Sequence, residues 1–153
     1  MTLNDTLSPV CGTVVWTLRD HTGAALKTGE EKITVSPLSA LWLDEMDFCK
    51  TDVDNTYLSY MFIADNEVLS EGTVLFTVPK YFNFLDPELT YEVNGDEITV
   101  YAKSYARYVE IDSPDSDFIL SDNYFDLNGG KKTVRILEGT PKTIALRSVY
   151  DIR

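Results

Sequence analysis

Apolar residues in this chain come in short runs, β-branched or aromatic, each closed by turn residues. That pattern admits strands far more readily than helices. In GTVVWTLRD, Val14, Trp16 and Leu18 alternate with Val15, Thr17 and Arg19, and the run ends in His21-Thr22-Gly23, where glycine supplies the positive φ of a tight turn. Further strands are expected at Lys32 to Ser36, Tyr57 to Ala64 and Gly72 to Val78. In the third of these four runs, Leu58, Tyr60, Phe62 and Ala64 share a face. The stretch Leu41 to Phe48 lacks a sustained 3.6-residue period and reads as one more strand.

A boundary falls between Pro79 and Pro87, because proline removes a ladder donor and YFNFLD shows no clear alternation. Beyond it, Asn94-Gly95 between two alternating runs predicts a hairpin with a type I′ turn centred on those two residues. The next strand changes parity. Ile98, Val100 and Ala102 are even-numbered and Val109 and Ile111 odd, so a bulge or break is expected near Ser104 to Arg107. Lys131 to Leu137 and Thr143 to Val149 supply the last strands. The fold class is therefore all-β, two consecutive immunoglobulin-like antiparallel sandwiches over 1–82 and 83–153.

Composition narrows the partners. Against 13 basic residues stand 25 acidic ones, a net charge of −12 that opposes phosphate backbones and anionic lipid, so neither nucleic acid nor membrane is expected. The acidic excess is uneven, net −8 over residues 1–87 (13 against 5) and −4 over 88–153 (12 against 8). No apolar run approaches the roughly 20 residues of a membrane span, and no basic-then-apolar leader follows Met1. The chain reads as soluble, with the cytoplasm slightly favoured.

Chemistry-bearing sets are missing. The single imidazole, His21, sits in an expected exposed turn, so no Ser/His/Asp or Cys/His arrangement can form. Cys11 and Cys49 read as two reduced, semi-buried thiols, with a bridge between them the alternative. No Walker or dinucleotide loop is present, and no cofactor is expected. Asn4-Asp5-Thr6 fits the glycosylation pattern but carries no weight at that length. Asp112, Asp115, Asp117 and Asp122 cluster. A solvated acidic loop is the first reading and calcium the second, although the spacing lacks the glycine and closing glutamate of an EF-hand, so no metal site is assigned.

Asp122-Asn123 is expected to work through backbone hydrogen bonds, with Tyr124, Phe125 and Leu127 anchoring the turn in the core. Tyr101, Lys103 and Tyr105 lie on one strand face opposite Ile98's row. They form a candidate sugar-stacking platform, against the alternative of a surface ladder or domain-contact patch.

Several segments carry a family resemblance. Leu3-Asn4-Asp5-Thr6, GTVVWTLRD with its HTG turn, PLSALWL from Pro37 and FTVPKYFNFLDP from Phe76 resemble the β-sandwich that follows the barrel in β-mannosidases of glycoside hydrolase family 2. AKSYARYVEID and FILSDNYFDLNGGKKTVRI resemble the final immunoglobulin-like domain of those enzymes, with Asn128-Gly129-Gly130 in place of a frequent Pro-Gly. The resemblance implies a parent that hydrolyses terminal β-D-mannosyl residues with retention, using two barrel glutamates. Neither has a counterpart here, so no catalytic residue is assigned and the fragment is not expected to be an enzyme.

The implied partners are the catalytic barrel and other domains of that parent, with β-mannosides or mannan as ligands if the chain binds sugar independently. NDT stands only three residues from Met1, which points to an expressed piece of a longer protein.

Overall fold

The computed structural model describes residues 1–48 and 50–152. Its contacts divide the chain into two compact units, Met1–Arg19 with Ala25–Phe76, and Asp20–Ala24 with Thr77–Arg153. Both are built from antiparallel strands, and the chain is all-β with two immunoglobulin-like domains. Among the described residues no helix is long and apolar enough to cross a membrane.

In the first unit β1 (Thr2–Asn4) pairs with β4 (Ser39–Leu41), while β2 (Val10–Asp20), β3 (Ala25–Val35), β5 (Thr56–Ala64) and β6 (Glu67–Leu75) form a sheet ordered β3-β2-β5-β6. Val14, Ile33, Val35, Phe62 and Ala64 make its core, and Leu41 and Leu43 pack against it from the β4 side. Burying each larger side chain of this kind is worth about 1.5–3 kcal/mol. Trp16 stands on Val14's face of β2 and meets Phe48 edge-on at 6.0 Å, with Phe76 a further 5.2 Å on.

Two sequence expectations change here. The strand of Leu41 to Phe48 ends at Leu41, and Trp42 to Phe48 are irregular. The strand expected from Lys32 begins at Ala25, because polar residues alternate along an exposed ribbon that still pairs with β2. The β5–β6 hairpin closes on Asp65-Asn66, whose φ values of 52° and 64° are those of a type I′ turn.

Asn4 is 4% exposed, and its side chain ties β1 to the end of β3. Nδ2 donates to the carbonyls of Ser8, Val35 and Ser36, and Oδ1 accepts from the Thr6 amide and hydroxyl. The NDT triplet is thus a folding element.

In the second unit β8 (Glu97–Asp112) is the spine, pairing with β7 (Thr90–Asn94), β10 (Phe125–Gly139) and β11 (Ala145–Arg147), while β9 (Phe118–Leu120) pairs with β10. The β7–β8 hairpin is present, but Asn94 pairs with Glu97, so its central residues are Gly95-Asp96. Only Gly95 has a positive φ, 63°, which is type II′ geometry rather than I′. The last expected strand shrinks to β11, and α1 (Val149–Ile152) follows it.

A register shift lies at the start of the expected stretch, at Lys103–Ser104 opposite Gly129, and the parity change follows at its end. Ala106 pairs with Leu127 and Val109 with Phe125, so β8 carries one extra residue at Arg107–Tyr108. Tyr108 takes a φ of 50°, and its N–H donates to Asp126 Oδ1 at 2.9 Å instead of the ladder. Ile98, Val100, Ala102, Ala106, Val109 and Ile111 thereby all reach one core with Phe125, Leu127 and Val134.

Candidate functional site

The three residues of the expected sugar platform do share the outer face of β8, but they do not share an environment. Tyr101 is partly exposed. Its hydroxyl donates to Glu92 Oε2 at 2.9 Å, which raises the phenol above its ordinary value, and Lys131 Nζ stands 6.0 Å from the ring centre. Lys103 is exposed and paired with Glu88. Both line an open groove of about 770 Å³ with Glu88, Glu92 and Lys131.

Tyr105 is 1% exposed and cannot stack a ligand. Phe84 stacks on it at 5.8 Å and Phe82 meets it edge-on at 5.9 Å, both rings being buried themselves. The connector YFNFLD is therefore an anchor.

Each polar side chain of the SDNYFDL segment is committed internally. Ser121 Oγ accepts from the Arg135 amide at 2.9 Å, and Asp122 pairs with Lys132 at 2.8 Å. Asn123 Oδ1 accepts from the Ile111 and Tyr124 amides while its Nδ2 donates to the Ile111 carbonyl. Phe125 and Leu127 enter the core as expected. Tyr124 does not: it is 59% exposed, because a φ of 59° turns its side chain outward.

That outward turn builds a second concavity, which sequence reasoning missed. Tyr108, 50% exposed, and Tyr124 line a groove of about 540 Å³ with Glu110, Arg147, Val149 and Ile152. Glu110 is central: it accepts from Tyr124 Oη at 2.7 Å and pairs with Arg147 across the β8–β11 ladder. The Arg147 hydrogen bond, and after it that of Tyr124, holds the Glu110 carboxyl below its ordinary range. Its hydrogen bond to Glu110 in turn pushes the Tyr124 phenol up. Arg107 lies over the Tyr108 ring at 4.7 Å. No local sequence signal announces a left-handed tyrosine.

The remaining expected sites have structural occupations. Asp115 accepts from the Ser113 and Thr143 hydroxyls, with a lowered pKa in consequence, and braces the acidic loop. Among the described residues no three His, Cys, Asp or Glu side chains converge to hold a metal ion. His21 is half-buried rather than exposed, its Nδ1 2.9 Å from the Asn83 carbonyl and its own carbonyl accepting from the Tyr105 amide. Cys11 is an exposed thiol beside Thr34, not semi-buried, and Cys49 lies outside the described residues.

Two units built of antiparallel strands, with motif side chains that brace backbone and neighbouring strands, define a pair of immunoglobulin-like domains. Residues 2–81 match the Mannosidase Ig/CBM-like domain and residues 84–152 an Ig-fold domain, so the chain belongs to the Mannosidase Ig/CBM-like family.

Among solved structures, the β-D-mannosidase of Dictyoglomus thermophilum shares the fold at a TM-score of 0.76 and 16% identity, over 95% of this chain and 19% of that one. The exo-chitosanase CsxA of Amycolatopsis orientalis matches at 0.54 and 11%, over 88% of this chain and 21% of that one. The chain thus spans about a fifth of the length of these structures. No curated protein matches the sequence.

Proposed function

We propose that the chain supplies the two C-terminal immunoglobulin-like modules, 1–82 and 83–153, of a cytoplasmic family 2 β-mannosidase. In this reading they support a catalytic barrel that hydrolyses terminal β-D-mannosyl residues with retention. The observation that carries it is the family match across both modules, joined to a family-like motif whose side chains brace backbone and neighbouring strands. A part built this way contributes stability and shape, and the barrel and other parent domains are its partners. An exposed Cys11 thiol suits a reducing compartment.

The coding sequence on either side of this chain tests the reading. A barrel-sized segment with two suitably placed glutamates, in a full-length protein that releases p-nitrophenol from its β-D-mannoside with retained anomeric configuration, is the expected finding. A flanking sequence without such a segment, or a full-length protein inactive on that substrate, overturns it.

A second reading, an independent module for β-mannosides or mannan, keeps Tyr101 and Lys103 as contacts because both line the 770 Å³ groove. It no longer includes Tyr105.

A further inference from the structure

Two exposed aromatic rings of the second unit, Tyr108 at 50% and Tyr124 at 59%, are held where a tyrosine is costly. Tyr108 and Tyr124 have φ values of 50° and 59°, in a region that glycine and asparagine enter readily and bulky side chains avoid. Neither ring contributes to the core, and each left-handed residue has its own amide held by a side chain, Tyr108 by Asp126 and Tyr124 by Asn123. The fold therefore spends hydrogen bonds to keep two phenol rings out in solvent. Strain of this kind, secured by its surroundings, is characteristic of ligand clamps.

Between the rings lies a compact set of polar groups. Glu110 sits on β8 two residues beyond Tyr108, bonded to Tyr124 Oη and to Arg147. Val149 and Ile152 add an apolar wall. The concavity of about 540 Å³ falls within the usual range for small-molecule sites, about 300–1,000 Å³, and has their make-up of apolar and aromatic walls with a few convergent polar groups.

The chemistry of these groups selects the ligand. Aromatic faces at the surface favour a flat ligand with apolar C–H faces. A carboxylate beside a guanidinium offers acceptors and donors at once, which matches neighbouring hydroxyls, each both donor and acceptor. Glu110 and Arg147 cancel in charge, so the groove favours neither sign locally and fits a neutral ligand, and the chain's net −12 further disfavours anions. From this geometry we infer that the Tyr108–Tyr124 groove is a carbohydrate-binding site for a neutral pyranoside chain, distinct from the groove beside Tyr101. This site stands independently of the parent's reaction: it can exist whether or not a mannosidase barrel flanks the chain.

An NMR titration of the 153-residue chain with β-1,4-linked mannotriose, and separately with cellotriose, tests it. The expected result is a saturable millimolar interaction with at least one of the two sugars, the largest shifts lying at the amides of Tyr108, Glu110, Tyr124 and Arg147. Tyr108→Asn and Tyr124→Asn each relieve the left-handed strain while removing a ring. Each should weaken binding at least tenfold with a melting temperature equal to or above the parent's, an outcome that a purely structural role for either ring would reverse. Tyr101→Ala should leave the affinity unchanged. No saturable shift with either sugar, shifts confined to Tyr101 and Lys103, or unchanged affinity in both asparagine variants would overturn the assignment.

Discussion

The side-chain amide of Asn123 hydrogen-bonds both backbone groups of Ile111, accepting from its N–H at 2.9 Å and donating to its C=O at 3.0 Å. A side chain here acts as one rung of a β-ladder, on a strand residue that is 2% exposed. Asn123→Ala leaves both backbone groups without that partner. Each such loss costs on the order of 1–3 kcal/mol in a buried setting, and water entering from the half-exposed side offsets part of it. A total loss of about 2–4 kcal/mol is expected from urea denaturation. Asn123→Asp keeps the acceptor but faces the Ile111 carbonyl with a carboxylate, and should be destabilised at neutral pH as well.

Asn4 performs the same service in the first unit, where five hydrogen bonds converge on one 4%-exposed side chain. Asn4→Ala should destabilise that unit by about 2–4 kcal/mol, since the carbonyls of Val35 and Ser36 lose a donor together. Hydrogen exchange should quicken at the Thr6 amide, whose acceptor is lost, and remain unchanged at Ile111 in the second unit.

Gly29 lies opposite Trp16 in the β2–β3 ladder, and a Cβ placed there would come within 2.3 Å of the indole. Gly29→Ala forces the ring off its position against Phe48, an overpacking change worth about 1–3 kcal/mol. A shifted tryptophan emission spectrum with a lowered melting temperature is the expected pair of readouts. An unchanged spectrum would contradict the contact.

Acid stability follows from Glu110. Its carboxyl is held below the ordinary range by Arg147 first and Tyr124 second, so the folded state binds its proton less readily than the unfolded chain does. A depressed carboxylate contributes stability that is fully present above the unfolded value, about 4.3, and is lost as pH falls through the lower folded value. Asp115, lowered by the Ser113 hydroxyl and by Thr143, acts in the same direction. Glu110→Gln should therefore be less stable than the parent at neutral pH. The gap in urea midpoint should close as pH drops below about 4. A gap independent of pH would exclude the ion pair as its source.

How much of this was legible in the sequence depends on the range of the interaction concerned. Local alternation gave β2, β5 and the β7–β8 hairpin, because strand period and turn chemistry are written within a few residues. The Asp65-Asn66 turn obeys the same chemistry, though it was not among the expected turns. The exact turn centre at Gly95-Asp96 was not, since register is set by pairing across the hairpin.

Tyr105 shows the limit for sites. Alternation placed it correctly on the outer face, but whether an outer face meets solvent depends on Phe82 and Phe84 folding back over it, about 20 residues away in sequence. Tyr124 fails in the opposite sense, its apolar neighbours suggesting burial while a positive φ sends the ring outward.

The SDNYFDL segment is a fold-holding element through Asn123, and hydrogen exchange at the Ile111 amide measures that directly. In the parent chain this amide should rank with the slowest of the second unit. In Asn123→Ala it should exchange at least tenfold faster, equivalent to about 1.4 kcal/mol or more of lost protection. An Ile111 amide equally protected in both proteins would contradict the account.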